Sequence, residues 1–156
     1  MKHERKPLRL EGYDYTNPGL YFVTVCCYDR QHLFGKIANQ KMILNDAGKM
    51  ANFYWLNIQN HYQNIVLHEH VVMPNHIHGI IEIKESDSYR ITLLGSVIKG
   101  FKIGVTKWMR KHTNAHRVWQ RSYYEHIIRD GISYGKIAQY ILLNPENWND
   151  DKFYSE

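Results

Sequence analysis

The sequence predicts an α+β fold of the ferredoxin-like type, an antiparallel sheet with helices packed on one face. Three observations lead to this prediction. Four short runs are rich in aromatic and β-branched residues, which favour strands. Two longer stretches with apolar residues at helical spacing separate these runs in the order βαββαβ, and one more helical stretch follows. Apolar residues make up 44% of the chain, which is ordinary for a protein with a packed core.

The first strand and the first helix are predicted in the first third of the chain. The run 20–27, Leu-Tyr-Phe-Val-Thr-Val-Cys-Cys, has the composition of a strand. The stretch 45–58 has apolar residues at helical spacing, and Asn45 or Asp46 can cap its N-terminus. Together they form the first βα unit of the predicted order.

A hairpin and a long helix are predicted next. The apolar strands 65–73 and 77–83 flank Pro74-Asn75, a pair typical of turns. After a polar loop, a helix is predicted at about 92–111, with an apolar stripe facing the sheet. Most of its lysines and arginines lie off that stripe, so we expect them in solvent.

The fourth strand and the last helix complete the pattern. The strand is predicted at 123–128 and the helix at about 133–143. The helix should end before Pro145, because the residue before a proline avoids the helical conformation. Its apolar stripe is predicted to consist of Ile132, Ile137, Ile141 and Leu142.

The length and composition of the chain limit the number of domains and the kinds of segment that it can contain. We expect residues 1–156 to form a single domain, with an N-terminal arm at 1–19 that ends in a turn at Asn17-Pro18-Gly19. No run of eighteen apolar residues is present, so no membrane partner is expected. The first hydrophobic run is too short for the core of a signal peptide, which favours a cytoplasmic location.

The charge and the aromatic content favour a nucleic-acid partner. The net charge is +5 and the isoelectric point is about 9.1. Such a positive charge favours binding to a polyanionic partner, although many basic proteins bind no nucleic acid. Twelve Tyr, four Trp and five Phe are present, and aromatic faces beside cations are surfaces on which unpaired bases stack. Core packing must account for most of these aromatic residues.

The pair His76 and His78 is the clearest indication of a metal-binding or catalytic site in the sequence. On a strand these two side chains project from the same face, while Ile77 points into the core. Two imidazoles on one face can bind one divalent ion. Two histidines on an open sheet face remain the alternative. A second such pair, His68 and His70, is interpreted as a surface or packing pair.

The second sign is the segment 140–145, Tyr-Ile-Leu-Leu-Asn-Pro. Tyr140 and Asn144 are four residues apart, so they share one face of the last helix. Packing alone could explain Tyr140. Beside two histidines, however, a tyrosine oxygen could attack a phosphodiester while an Asn144 oxygen helped to bind Mg²⁺ or Mn²⁺. The group that removes the phenolic proton is left open.

Three segments, in this order, resemble the single-tyrosine HUH transposases of bacterial insertion sequences, especially their REP-associated relatives. They are 71–78, Val-Val-Met-Pro-Asn-His-Ile-His; 118–129, Val-Trp-Gln-Arg-Ser-Tyr-Tyr-Glu-His-Ile-Ile-Arg; and 140–145. The resemblance spans about residues 12 to 148. It implies that His76 and His78 bind Mg²⁺ or Mn²⁺, that Tyr140 is the nucleophile and that Asn144 is a third metal ligand.

The same resemblance implies the reaction and the partner. The reaction is cleavage and rejoining of single-stranded DNA beside a hairpin, through a covalent 5′-phosphotyrosine, in the course of DNA transposition. The protein would act as a monomer or a homodimer. Basic and polar side chains would contact the DNA, namely Lys99, Lys102, Lys107, Arg110, Arg121 and His126.

Two other function classes are a non-catalytic binding module and a different kind of histidine-based enzyme. A non-catalytic single-stranded nucleic-acid-binding module on the same fold would bind DNA in a salt-sensitive manner without forming a covalent product. A histidine-based phosphoesterase is disfavoured, because Gly79 follows His78 and no second matching motif exists. A histidine-triad hydrolase would need a third alternating histidine where Ile80 stands.

Overall fold

A four-stranded antiparallel sheet is the centre of the fold. The computed structural model describes residues 10, 12–13, 18–86 and 91–156. Most of the predicted N-terminal arm, including Asn17 of its turn, lies outside the described residues. In chain order the elements are β1 (Gly19–Cys26), β2 (Gly35–Ala38), β3 (Lys41–Leu44), α1 (Asp46–Leu56), α2 (Ile58–His61), β4 (Ile65–Met73), β5 (His76–Ile83), α3 (Leu94–His112), β6 (Tyr124–Ile128) and α4 (Gly131–Leu142), with 3₁₀ turns at Tyr28–Arg30 and Trp148–Asp150.

The strand order confirms the predicted fold class. The sheet runs β4-β5-β1-β6, and every neighbouring pair is antiparallel. Counting only these four strands, the first and third lie side by side in the centre, which is the ferredoxin-like arrangement. The turn between β4 and β5 lies at Pro74-Asn75, as predicted.

Helices α1 and α3 pack against each other and cover one face of the sheet. Their buried residues, among them Trp55 and Phe101, join Ile77 and Ile81 of β5 in the main hydrophobic core. Helix α1 begins where the sequence predicts, because Oδ1 of Asn45 accepts a hydrogen bond from the Gly48 amide at 2.9 Å. Among the described helices, none is both long and apolar enough to span a membrane.

Helix α4 packs on the opposite face of the sheet. Ile141 and Ala138 contact a smaller buried cluster that contains Ile80 of β5. The predicted apolar stripe is wrong at Ile132 and Leu142, which are 75% and 63% exposed. The buried face of the helix instead follows the three- and four-residue spacing of Tyr134, Ile137, Ala138 and Ile141.

A second, two-stranded sheet was not predicted from the sequence. Strands β2 and β3 form a hairpin whose turn residues Asn39 and Gln40 have φ values of 51° and 62°. Such left-handed pairs match the twist of a tight hairpin. Each strand has only four residues, which is too short for a clear alternation of apolar and polar positions.

The two histidines of β4 point to opposite faces of the sheet. A bulge between Leu67 and His70 shifts the pairing with β5 and reverses the side-chain alternation. His68 therefore contacts Glu82 at 2.7 Å, whereas His70 contacts Asn52 at 2.7 Å on the side of helix α1.

Replacing Gly79 tests how closely the helix layer approaches the sheet. A Cβ at Gly79 would lie 2.2 Å from the fully buried Trp55 ring, so Gly79→Ala should destabilise the protein by about 1–3 kcal/mol. The matched control is Gly100→Ala in α3, where an added Cβ would meet no atom within 4 Å beyond its chain neighbours and the backbone of its own helix. Its greater helix propensity should stabilise the protein by about 1 kcal/mol. Urea unfolding of both variants measures the difference, and equal stabilities would contradict the packing described here.

Candidate metal and tyrosine site

His76 and His78 lie on the face of β5 that α4 covers, while Ile77 between them points into the main core. Both imidazoles are buried, with exposed fractions of 0% and 1%. Their ring centroids are 4.4 Å apart. The open sheet face considered as an alternative is therefore wrong, because α4 and the C-terminal segment cover these rings.

Hydrogen bonds orient the two rings. Nδ1 of His76 lies 2.7 Å from Oδ1 of Asn75, whose own amide group donates to the Phe153 carbonyl at 2.8 Å. Nδ1 of His78 lies 2.7 Å from Oγ1 of Thr24, its neighbour on β1. When each Nδ1 carries the ring proton, both Nε2 atoms present a lone pair to the same space.

Both Nε2 atoms are buried and, within the described part of the chain, make no hydrogen bond. Burial lowers the pKa of His76 to about 4, and the nearby Asp151 carboxylate offsets this only in part. Burial also lowers the pKa of His78 well below its ordinary value, and the neighbouring His76 adds to the effect. Both rings are therefore neutral near pH 7, as metal binding requires.

Two further side chains place oxygen atoms at the histidines. Ligand atoms of His76, His78 and Asp151 all lie within 4.8 Å of one another, a spacing that suits one metal ion. Nδ2 of Asn144 donates to Oδ2 of Asp151 at 2.8 Å. Oδ1 of Asn144 is buried and, among the described residues, has no hydrogen-bond partner. The group offers nitrogen and oxygen ligands to a divalent cation.

The C-terminal segment brings Asp151 to the histidines and covers them. The Phe153 ring lies 4.8 Å from the His76 ring and 5.6 Å from the His78 ring, centroid to centroid. Trp148 stacks on His76 at 6.2 Å. A hydrogen bond from the Phe153 amide to Oδ1 of Asp151, 2.8 Å long, fixes the carboxylate. These contacts exclude water from the histidines.

Tyr140 lies at the edge of this cluster. Its ring centroid is 5.3 Å from that of His78, and 40% of the residue is exposed. Burial raises the pKa of its phenol, the Asp151 charge raises it further, and Asn144 lowers it. The phenol is thus protonated at neutral pH, close to both oxygen-bearing side chains and still accessible from outside.

The basic residues predicted on the long helix lie elsewhere. Lys99, Lys107 and Arg110 line a cavity of about 490 Å³ along α3, the helix that covers the other face of the sheet. Lys102 lines it too, but its Nζ donates to the backbone carbonyls of Gln120, at 3.0 Å, and Ser122. The structure therefore does not bring these four cations to the histidines.

The remaining predicted residues lie nearer to the site. Arg121 lines a second cavity together with Tyr124. His126 is exposed on β6 and pairs with Phe22 of β1, whose ring contacts both His78 and Tyr140. Both residues thus belong to the half of the molecule that carries the histidines.

Asp151 is the residue that sequence reasoning missed. It follows the last predicted helix in a stretch without periodicity, so no pattern indicated where it would lie. The only available signal was the acidic pair Asp150-Asp151 between the aromatic residues Trp148 and Phe153. Such a stretch is equally common on protein surfaces.

Two sequence relatives cover most of the chain. An uncharacterized protein of Haemophilus influenzae is 43% identical over 169 aligned positions, which cover 97% of this chain and 94% of the relative. A candidate REP-associated tyrosine transposase of the same organism is 26% identical over 140 positions, covering 85% of this chain and 73% of the relative. No protein-family model matches the chain.

Two solved structures share the fold. A REP-associated tyrosine transposase bound to a REP hairpin superposes with a TM-score of 0.62 at 23% identity, covering 93% of this chain and 73% of that one. A candidate transposase from Deinococcus radiodurans gives 0.51 at 17% identity, covering 86% and 95%. The chain is thus similar in sequence to a candidate REP-associated tyrosine transposase and shares the fold of a solved one.

Burial of His76 predicts a pH-dependent stability. The unfolded chain takes up a proton near pH 6.5 and the folded chain only near pH 4, so stability falls as the pH falls through that window. We expect a loss of roughly 2–3 kcal/mol from His76 alone in urea unfolding with EDTA present. A His76→Asn/His78→Asn variant should have a flatter profile, whereas His126→Gln should follow the wild type. Equal profiles for the wild type and the double variant would show that the histidines are not buried as neutral rings.

Proposed function

We propose that this chain cuts and rejoins single-stranded DNA through a covalent 5′-phosphotyrosine at Tyr140, as a step of DNA transposition. The observation that carries the proposal is the position of Tyr140, a half-exposed tyrosine whose ring lies 5.3 Å from the buried His78. The sequence similarity to a candidate REP-associated tyrosine transposase supports the same proposal. A buried metal-ligand group beside an accessible phenol suits attack on a phosphodiester.

The residues of the site fit a divalent metal ion. Buried nitrogen and oxygen atoms without hydrogen-bond partners among the described residues are costly unless a ligand occupies the space between them. We propose that Nε2 of His76 and of His78 bind Mg²⁺ or Mn²⁺, with oxygen atoms of Asn144 and Asp151 completing the set. The bound cation would stabilise negative charge that develops on the attacked phosphate.

Tyr140 must lose its proton to attack. Its oxygen forms a bond to phosphorus, the bond to the 3′ oxygen breaks, and that oxygen leaves as a hydroxyl after taking a proton from water. The Asp151 charge raises the pKa of the phenol, and we propose that this carboxylate accepts the phenolic proton. Rejoining reverses the bond changes, so no nucleotide cofactor is required.

We propose that the partner is single-stranded DNA beside a hairpin. The structural relative with the TM-score of 0.62 is bound to a REP hairpin, and the net charge of +5 suits a polyanion. Lys99, Lys107 and Arg110 form a basic surface that could contact phosphates away from the site, while Arg121 and His126 are nearer to it. One chain supplies the histidines and the tyrosine helix together, so either a monomer or a homodimer can carry a complete site.

The covalent step gives the first test. Incubation with labelled single-stranded hairpin DNA and Mn²⁺ should yield a protein–DNA adduct that survives denaturation. Tyr140→Phe and EDTA should each abolish it, because the first removes the nucleophilic oxygen and the second removes the metal. The matched control is Tyr124→Phe, which changes another tyrosine on the same side of the sheet and should retain the adduct.

The other outcomes of this test are informative. An adduct that persists in Tyr140→Phe but disappears in Tyr124→Phe would assign the nucleophile to Tyr124. Salt-sensitive DNA binding without any adduct in the wild type would favour the non-catalytic binding module instead.

The metal ligands give a second test, measured by titration calorimetry with Mn²⁺ at about pH 7. Asp151→Leu and Asn144→Leu should each lower the affinity by roughly 10- to 100-fold, and His78→Ala should abolish binding. His68→Ala, which alters a histidine paired with Glu82 on β4 and β5, should leave the affinity unchanged. Unchanged affinity in Asn144→Leu would remove Asn144 from the ligand set while leaving the other three residues in place.

A further inference from the structure

A second cleft, distinct from the group of metal-ligating side chains, lies on the same side of the molecule. Its volume is about 480 Å³. One wall is the turn after β1, with Tyr28 and Arg30. The other is formed by Arg121, which precedes β6, and by Tyr124, the first residue of β6. The cleft therefore combines two aromatic rings, two cations and the carboxylate of Asp29, which also lines it.

The sheet register places this cleft next to the proposed site. Thr24 pairs with His78 on one side and with Tyr124 on the other, so the three side chains form one row across the sheet. Two strand spacings separate Tyr124 from His78, or about 10 Å. The Phe153 ring fills part of the gap, at 5.9 Å from Tyr124 and 5.6 Å from His78.

The side chains of the cleft are available to a ligand. Tyr28 and Tyr124 are 38% and 37% exposed, so both are accessible from outside. The ion pairs found among the described residues all involve histidines, so Arg30 and Arg121 have no carboxylate partner there. Two further cations, Arg117 and Lys152, approach the rings of Tyr28 at 5.1 Å and Tyr124 at 5.9 Å.

The backbone holds both walls in unusual conformations. Arg30 and Ser122 have φ values of 54° and 69°, in the left-handed region that residues other than glycine rarely adopt. Nζ of Lys102 donates to the carbonyls of Gln120 and Ser122, which fixes one wall. The Tyr28 amide donates to the Val118 carbonyl at 2.9 Å, which ties the other wall to it. The cleft is thus formed before any ligand binds, which lowers the entropic cost of binding.

We propose that this cleft is a subsite for one unpaired nucleotide next to the phosphate that Tyr140 attacks. Tyr28 and Tyr124 offer ring faces for the base, while Arg30 and Arg121 contact its phosphate. The proposal rests on the proposed function, because it assigns a neighbouring nucleotide to the same DNA. It also gives a role to Arg121 and to the segment 118–124, which the metal site does not use.

An unpaired nucleotide fits better than a base pair. Within a duplex the faces of the bases are stacked on their neighbours and are not available to side chains. A cleft of about 480 Å³ lies within the range of pockets that enclose small molecules, and it has two walls rather than one open surface. The hairpin stem would therefore contact other parts of the protein.

Binding to a DNA strand with and without bases tests the subsite. The full chain carrying Tyr140→Phe, which prevents cleavage, is titrated with fluorescent dT12 and with a strand of twelve abasic phosphodiester units. The parent protein should prefer dT12 roughly tenfold or more, because only dT12 can stack. Tyr28→Ala and Tyr124→Ala should each lower the affinity for dT12 about tenfold and leave the affinity for the abasic strand unchanged.

Conservative variants and remote controls separate stacking from folding damage. Tyr28→Phe and Tyr124→Phe should retain the preference for bases, since they keep the ring. Phe53→Ala removes an aromatic residue that is 54% exposed on helix α1, and it should also retain the preference. Arg30→Gln with Arg121→Gln should lower the slope of log affinity against log salt by about 1.4 on both strands, while Lys41→Gln with Lys49→Gln should not.

The outcomes of this test are independent of the adduct assay. A base preference that survives both alanine variants, or that is absent from the parent protein, overturns the subsite even if the Tyr140 adduct forms. Loss of the preference in both alanine variants supports the subsite even if no adduct forms, in which case only the proposed cleavage fails.

Discussion

The burial of two imidazoles with open Nε2 atoms is the constraint on which the rest of the site depends. A buried polar atom without a hydrogen-bond partner costs about 1–3 kcal/mol of folding free energy. His76 and His78 therefore destabilise the folded chain unless a ligand binds their Nε2 atoms. The surrounding structure tolerates this cost because each ring is held at Nδ1, by Asn75 and by Thr24. The same contacts that orient the rings keep their free lone pairs directed at one space. A site built in this way is organised before a metal or a substrate arrives.

One face of the sheet packs in the larger hydrophobic core, and the other face carries the residues of the candidate site. On one face, helices α1 and α3 build the larger core, and Gly79 lets the Trp55 ring lie directly against β5. On the other face, α4 and the C-terminal segment close over the histidines while leaving Tyr140 partly exposed. Because the side chains of a strand alternate, β5 serves both faces at once. Its odd-numbered residues anchor the core, and its even-numbered residues carry the proposed ligands.

Much of the fold and part of the site could be predicted because they depend on short-range periodicity. Alternation on β5 placed His76 and His78 on one face, and helical spacing placed Tyr140 on the last helix. Asn144 was predicted on the same helix but lies in the turn two residues past its end at Leu142. The hairpin of β2 and β3 was not predicted, because strands of four residues are too short to show a clear alternation of apolar and polar residues. The bulge in β4 escaped as well, since the register of a pair depends on both strands and on the packing around them.

The amino-acid sequence by itself determined the order of the elements, the pairing of His76 with His78 and the family motifs, because these are encoded within a few neighbouring residues. Only the tertiary structure decided that the histidines are buried, that Asp151 joins them and that Tyr124 lies in the row of His78. These facts depend on contacts between residues far apart in the chain, above all the return of the C-terminal segment onto the sheet. No local pattern reports such contacts, since their free energy comes from packing, solvent exclusion and hydrogen bonds that exist only in the folded chain.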